Sequence, residues 1–210
     1  MWRLIRIYRP ISYTYHAVRE LEQHNYKDSW IEGLHRIKDI YNIDLTTISR
    51  NTFLDKSKDY YTKLWIADIN RTDSKLRTYS LLKKDISTAT YLHLLNNREE
   101  VKLLSHLRLS CHKLQIELGR HKRPKVPVEN RICMKCNASQ IEDEIHFITS
   151  CNYYNTERRE LFSAFIKHYP AFETYSNTNK FVTIFNTDDQ RLIRNVIHYI
   201  KTCYNKHEIS

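Results

Sequence analysis

Two glycines, at positions 33 and 119, and four prolines serve a chain of 210 residues. Folds rich in strands spend both residue types on tight turns, so this scarcity predicts a mainly α protein, a helical bundle with few hairpins. It also leaves no material for a glycine-rich phosphate loop. Apolar residues make up 41% of the chain, enough for a real core, and the length suits one ordinary domain or two small ones. No stretch approaches the roughly 18 consecutive apolar residues of a membrane span, so no membrane partner is expected.

Apolar spacing places the helices. Trp30, Leu34, Ile37, Ile40 and Tyr41 share one face of a helix that Asp28 or Ser29 can cap. Tyr60, Leu64, Trp65 and Ile69 form the stripe of a second, starting near Leu54 or Asp55. Residues 76–86 are either a short strand or an irregular turn. Helical spacing resumes from Thr88 to Leu118, with a break or new cap at Asn96-Asn97 and Gly119 as a C-terminal stop. Further helices are expected from Tyr153 to Tyr169, stopped by Pro170, and from a Thr187 cap onward with Leu192, Val196, Ile197 and Ile200 inward. The first nineteen residues carry Arg3, Arg6, Arg9 and Arg19 and no acid, which reads as a basic helix start.

The chemistry concentrates in Cys133-x2-Cys136-x9-His146-x4-Cys151, four metal-type donors within nineteen residues. Zinc takes a tetrahedron of thiolate and imidazole donors, and Cys-x2-Cys sets two sulfurs on one turn. Cys133, Cys136, His146 and Cys151 are therefore the expected ligands of one Zn2+, in a small zinc-knuckle insertion. Three thiolates and one imidazole close the coordination sphere, leaving no position for a catalytic water. With Asp188-Asp189 explained as a helix cap, no active site and no small-molecule substrate are expected. The remaining cysteines are Cys111 and Cys203; an odd total points to metal and a reducing, intracellular setting, nuclear or cytoplasmic, rather than disulfides. Glu142, Asp143 and Glu144 either accept the free N–H of the ligating imidazole or form the acidic first turn of a helix, and the second reading is preferred.

The approach to the cluster is basic. Arg120, Lys122, Arg123, Lys125, Arg131 and Lys135 lie within sixteen residues opposed only by Glu129, on a chain of net charge +10. A proline-stiffened basic segment beside a zinc knuckle suits phosphate contacts, with Tyr153 and Tyr154 near enough for base stacking, so nucleic acid is the expected partner. The competing reading is a zinc-stabilised scaffold or protein-interaction module whose charge only confers solubility. The resulting division is a helical region at 1–120, the basic loop and knuckle at 121–156, and C-terminal helices at 157–210.

From Leu107 to Arg120 the chain runs Leu-Arg-Leu-Ser-x-His-x-Leu-x-Ile-Glu-x-Gly-Arg, followed by Pro127-x3-Arg131-x-Cys133-x2-Cys136, Ile141-Glu-Asp-Glu-x-His146-Phe, Cys151, Tyr154 and Arg158. Between about Leu107 and Leu161 this run resembles the C-terminal zinc-binding region of non-LTR (LINE-type) retrotransposon reverse transcriptases. Upstream, Trp30, Trp65 and Lys75-Leu76-Arg77-x-Tyr79 look like the linker of such polyproteins. The resemblance implies a module that engages template RNA or target DNA during target-primed reverse transcription, with zinc held by Cys133, Cys136, His146 and Cys151. It departs from the family pattern at Asn152, where proline is expected. The chain carries no polymerase aspartate motif and no endonuclease domain, so the resemblance implies the tail of an element without catalysis of its own.

Overall fold

A computed structural model describes residues 30–44, 48–71 and 74–209. The basic stretch at 1–19 and the caps at Asp28 and Ser29 lie outside the described residues. The chain divides into two compact units between Trp65 and Ile66.

In the first unit, α1 (Trp30–Tyr41) is followed by the start of α2 (Arg50–Ile69), which crosses the boundary. The α2 helix begins four residues before the expected Leu54, because the Ser49 hydroxyl accepts from the Thr52 N–H at 3.1 Å and closes its first turn. Phe53 and Tyr60, two turns apart, set their rings edge-on against Tyr41 at 5.6 and 5.3 Å. Of the expected stripe, Ile69 is buried, Tyr60 and Trp65 are half-buried and Leu64 is exposed, while Phe53 is a buried residue outside it.

The second unit holds α3 (Tyr79–Leu82), α4 (Tyr91–Leu94), α5 (Arg98–Arg108), α6 (Gln115–His121), α7 (Asn155–His168), α8 (Asn177–Asn186) and α9 (Gln190–Ile209). Residues 76–86 resolve into one helical turn within irregular backbone. Asn97 caps α5, its side chain accepting from the N–H groups of Glu99 and Glu100. The cap of α9 is Asp189 rather than Thr187: its Oδ1 accepts from Arg191 N at 2.7 Å and Leu192 N at 3.0 Å, while the Thr187 hydroxyl accepts from Asp189 N. Helix α8 lies where no helix was expected. Ser176 caps it at 3.2 Å from Asn179 N, and Phe181, Ile184 and Phe185 are buried at helical spacing.

Helix α9 is the spine of the core. Leu192, Ile193, Val196, Ile197, Ile200 and Cys203 are buried, facing α7 through Leu161 and Phe165 and α5 through Leu104 and Leu107. Each such side chain contributes about 1.5–3 kcal/mol on leaving water. The same cluster takes in Cys133, Phe147, Ile148, Cys151 and Tyr154, so the ligand-bearing insertion is seated in the helical core. The protein is mainly α as expected; no strand occurs among the described residues, and the one β-type feature is an isolated antiparallel bridge between Ile132 and Ile141. No helix among the described residues is long and apolar enough to cross a membrane.

Candidate metal centre

Two short pieces of backbone bring the four donors together. Around the Ile132–Ile141 bridge, Cys133 N–H donates to Gln140 O at 2.8 Å and Glu142 N–H to Arg131 O at 2.9 Å. The loop closed by these bonds carries Cys133 and Cys136, and it turns back through Ser139 at φ 49°. Beyond it, Asp143 Oδ1 accepts from His146 N at 2.7 Å and opens a helical turn that widens into π register over His146–Ser150. Cys151 N–H donates to His146 O at 2.8 Å. That bond spans five residues, so the four-residue gap between the last two ligands is one π turn.

The donor atoms of Cys133, Cys136, His146 and Cys151 all lie within 4.8 Å of one another, a set that can hold a metal ion. Cys133 Sγ and Cys151 Sγ are 3.8 Å apart, and Cys136 Sγ lies 3.4 Å from His146 Nε2. The imidazole is held from behind: its Nδ1 sits 2.9 Å from Gln140 Oε1 and 3.1 Å from the Ser150 hydroxyl. Donation from Nδ1–H to Gln140 leaves the Nε2 lone pair facing the thiols, the tautomer a metal needs. The shared proton with Cys151, and then burial, push the Cys133 thiol up to about 12, while the same contact draws Cys151 down. A metal entering this cluster therefore displaces protons.

Arg158, buried on α7, clamps the end of the ligand segment. Its guanidinium donates to Ile148 O at 3.1 Å, to Cys151 O, and to Asn155 Oδ1 at 2.8 Å. No family model, curated protein or solved structure matches this chain. The geometry of the chain's own residues therefore carries the functional argument.

Neither expectation for the acidic triplet survives for all three residues. The imidazole's partner is Gln140, not a carboxylate, and only Asp143 serves the helix start. Glu142 and Glu144 are buried. Glu142 accepts from Gln115 N at 2.8 Å and lies 3.5 Å from Cys133 Sγ. Glu144 takes Arg77 at 2.6 Å, Ser110 at 2.6 Å and His112 at 2.8 Å, and Arg77 also pairs with Glu117 at 2.8 Å. A buried carboxylate keeps its charge only with such partners. His112 is thus a satisfied core histidine.

The basic residues separate into two groups. Lys122, Arg123 and Lys125 are exposed, and Lys135 is half-buried beside Cys136 in sequence. Arg120 lies 3.4 Å from the Glu117 carboxylate. Arg131 is buried, donating to Val126 O at 2.9 Å and Ile116 O at 2.7 Å, so its guanidinium ties the loop to α6. Gly119 sits inside α6 rather than at a left-handed stop, because an added Cβ would lie 2.7 Å from Arg131 Cγ. Of the tyrosines expected near the surface, Tyr154 is fully buried against Phe147 at 5.1 Å, and Tyr153 carries the Lys206 ammonium over its ring at 4.7 Å.

Proposed function

We propose that this chain is a zinc-stapled, nucleic-acid-binding helical module without polymerase or endonuclease activity, corresponding to the C-terminal region of a non-LTR retrotransposon reverse transcriptase. The donor set supports zinc as the metal. Tetrahedral Zn2+ with Zn–S near 2.3 Å and Zn–N near 2.05 Å gives S–S edges of about 3.8 Å and S–N edges of about 3.6 Å. The observed separations are 3.8 Å for Cys133–Cys151 and 3.4 Å for Cys136–His146. Three thiolates and an imidazole fill the sphere, so the ion's role is structural. An intracellular, nuclear or cytoplasmic setting is part of this proposal, since thiolate ligands call for a reducing compartment.

The observation that carries the partner is the exposure of Lys122, Arg123 and Lys125 on the segment that leads from α6 into the first ligand. Phosphate contacts made there release counterions, so affinity for RNA or single-stranded DNA falls steeply with salt. The test is fluorescence anisotropy of a labelled oligonucleotide across a salt series, paired with metal analysis. Wild type should hold one zinc per chain and bind; Lys122→Glu/Arg123→Glu/Lys125→Glu should keep the zinc and lose affinity more than tenfold. Equal affinity in that variant refutes nucleic-acid binding through the segment. It would favour the second reading, a zinc-stabilised scaffold or protein-interaction module, which the seating of Phe147 and Ile148 in the helical core independently supports.

A further inference from the structure

Beyond the ligand cluster, the outer face of α7 and the start of α8 enclose an open groove of about 680 Å³. Arg159, Phe162, Ser163, Ile166 and Lys167 recur on α7 at intervals of three, one, three and one, which sets them on a single helical face. Arg159 and Lys167 are exposed at the two ends of that face, about 12 Å apart along the axis for eight residues at ~1.5 Å each. Between them, Phe162 and Ile166 are only half-buried and form an apolar floor. Lys180, arriving from α8, holds its ammonium 5.6 Å from the centre of the Phe162 ring. Besides the buried Arg158, three cations, Arg159, Lys167 and Lys180, line the groove with Phe162, whose ring meets Phe172 edge-on at 5.2 Å, and Glu173 is the one acid among the lining residues.

An apolar floor with an aromatic face and a rim of cations is the chemistry that binds single-stranded nucleic acid, whose bases stack while its phosphates pair. It is poorly suited to a small neutral ligand, because the groove is open along its length. Its near end is fixed to the metal centre: Thr149, inside the π turn, lines it, and Arg158 on its wall holds Ile148 O and Cys151 O. We infer that this groove is a second contact for a single strand, with phosphates at Arg159, Lys167 and Lys180 and a base on Phe162. The inference rests on the nucleic-acid reading above and extends it from the basic loop to a defined surface on α7 and α8.

Binding of fluorescein-labelled oligo-U and oligo-dT of about 20 nucleotides, long enough to exceed a single small site, tests it. The proteins compared are wild type, the loop variant Lys122→Glu/Arg123→Glu/Lys125→Glu, the groove variant Arg159→Glu/Lys167→Glu, and Phe162→Leu. Arg159 and Lys167 are exposed, so the groove variant should match wild type in circular dichroism and zinc content. Its affinity should fall more than tenfold and its log–log salt slope should shrink by roughly 1.4, at about 0.7 per lost phosphate contact on a single strand. Phe162→Leu should lose about fivefold or more in affinity with its slope unchanged, because stacking releases no counterions. Wild-type affinity and slope in the groove variant, alongside loss in the loop variant, would overturn the groove and leave the proposed function standing. Absence of binding by the wild-type protein itself would overturn both.

Discussion

Replacing Glu144 by glutamine isolates the buried ion network that braces the ligand segment. Glu144 is fully buried, and its two oxygens accept from Arg77, Ser110 and His112, residues distant in the sequence. Burial alone pushes its carboxyl up, but the His112 hydrogen bond and the Arg77 charge outweigh burial and hold it at about 2, against an ordinary 4.5. That displacement corresponds to about 3 kcal/mol of folding stability carried by the ionised carboxylate. Breaking a buried ion pair by removing one partner costs about 3–5 kcal/mol, and glutamine, which keeps the shape and one acceptor, should fall at the lower end. Glu144→Gln should therefore destabilise the second unit by about 3 kcal/mol near neutral pH. The sign of the pH dependence follows from the depressed value. The contribution is present above about 4.5 and is lost as pH falls toward about 2, so the gap between the two proteins should close over that interval. Both proteins carry the same four metal ligands, so thiolate and metal effects cancel in the difference. Urea unfolding followed by far-ultraviolet circular dichroism is the assay, since the second unit is built mainly of helices. A variant within about 1 kcal/mol of wild type at neutral pH, or a gap that persists undiminished at acid pH, refutes the network as a source of stability.

Two further substitutions test how the ligand segment is held. Gly119→Ala pushes a methyl group to 2.7 Å from Arg131 Cγ, and that side chain is pinned by its bonds to Val126 O and Ile116 O. The expected cost is about 1–3 kcal/mol, read as a lowered thermal midpoint; an unchanged midpoint would mean Arg131 is free to move. Arg158→Lys keeps the charge but cannot fill Ile148 O, Cys151 O and Asn155 Oδ1 together. Metal affinity, measured by competition with a chromogenic chelator, should drop about 10- to 100-fold with all four ligands intact, and equal affinity would show that the clamp does not position Cys151.

What could be read in the sequence was whatever depends on near neighbours. The spacing of Leu192, Val196, Ile197 and Ile200 marks the buried face of α9 because helical periodicity is local, and all four are buried. The ligand spacing was legible for the same reason, since Cys-x2-Cys fits one turn and His146-x4-Cys151 fits one π turn. Helix α8 was missed although Phe181, Ile184 and Phe185 carry the apolar signal and Ser176 the cap. Pairings across long sequence distance were not legible at all. Nothing near Glu144 announces that Arg77 will neutralise it from 67 residues away, so the local preference for acids at a helix start does not govern a residue that the core claims. Gly119 misled in a similar way: glycine near a helix end suggests a left-handed stop, but this one makes room for a side chain arriving from another segment.

The same long-range contacts determine what kind of metal site this is. Between the last two ligands, Phe147 and Ile148 point into the helical core, and Phe147 packs with the rings of Tyr154, Tyr199 and Tyr204. The carbonyls of the same turn are also taken. Phe147 O accepts from the Tyr199 hydroxyl on α9 at 2.9 Å, and Ile148 O accepts from Arg158 on α7. One π turn thus presents His146 to the metal cluster while its apolar residues and carbonyls belong to the bundle. A free-standing zinc finger relies on its ion because it has little core of its own. Here the bundle preorganises His146 and Cys151, Cys133 is buried in the same core, and its backbone is tied at the Ile132–Ile141 bridge, so the donors stand together before any ion enters. A metal held there would therefore be coupled to the packing of α7 and α9, because the turn that carries His146 also supplies Phe147 and Ile148 to the core.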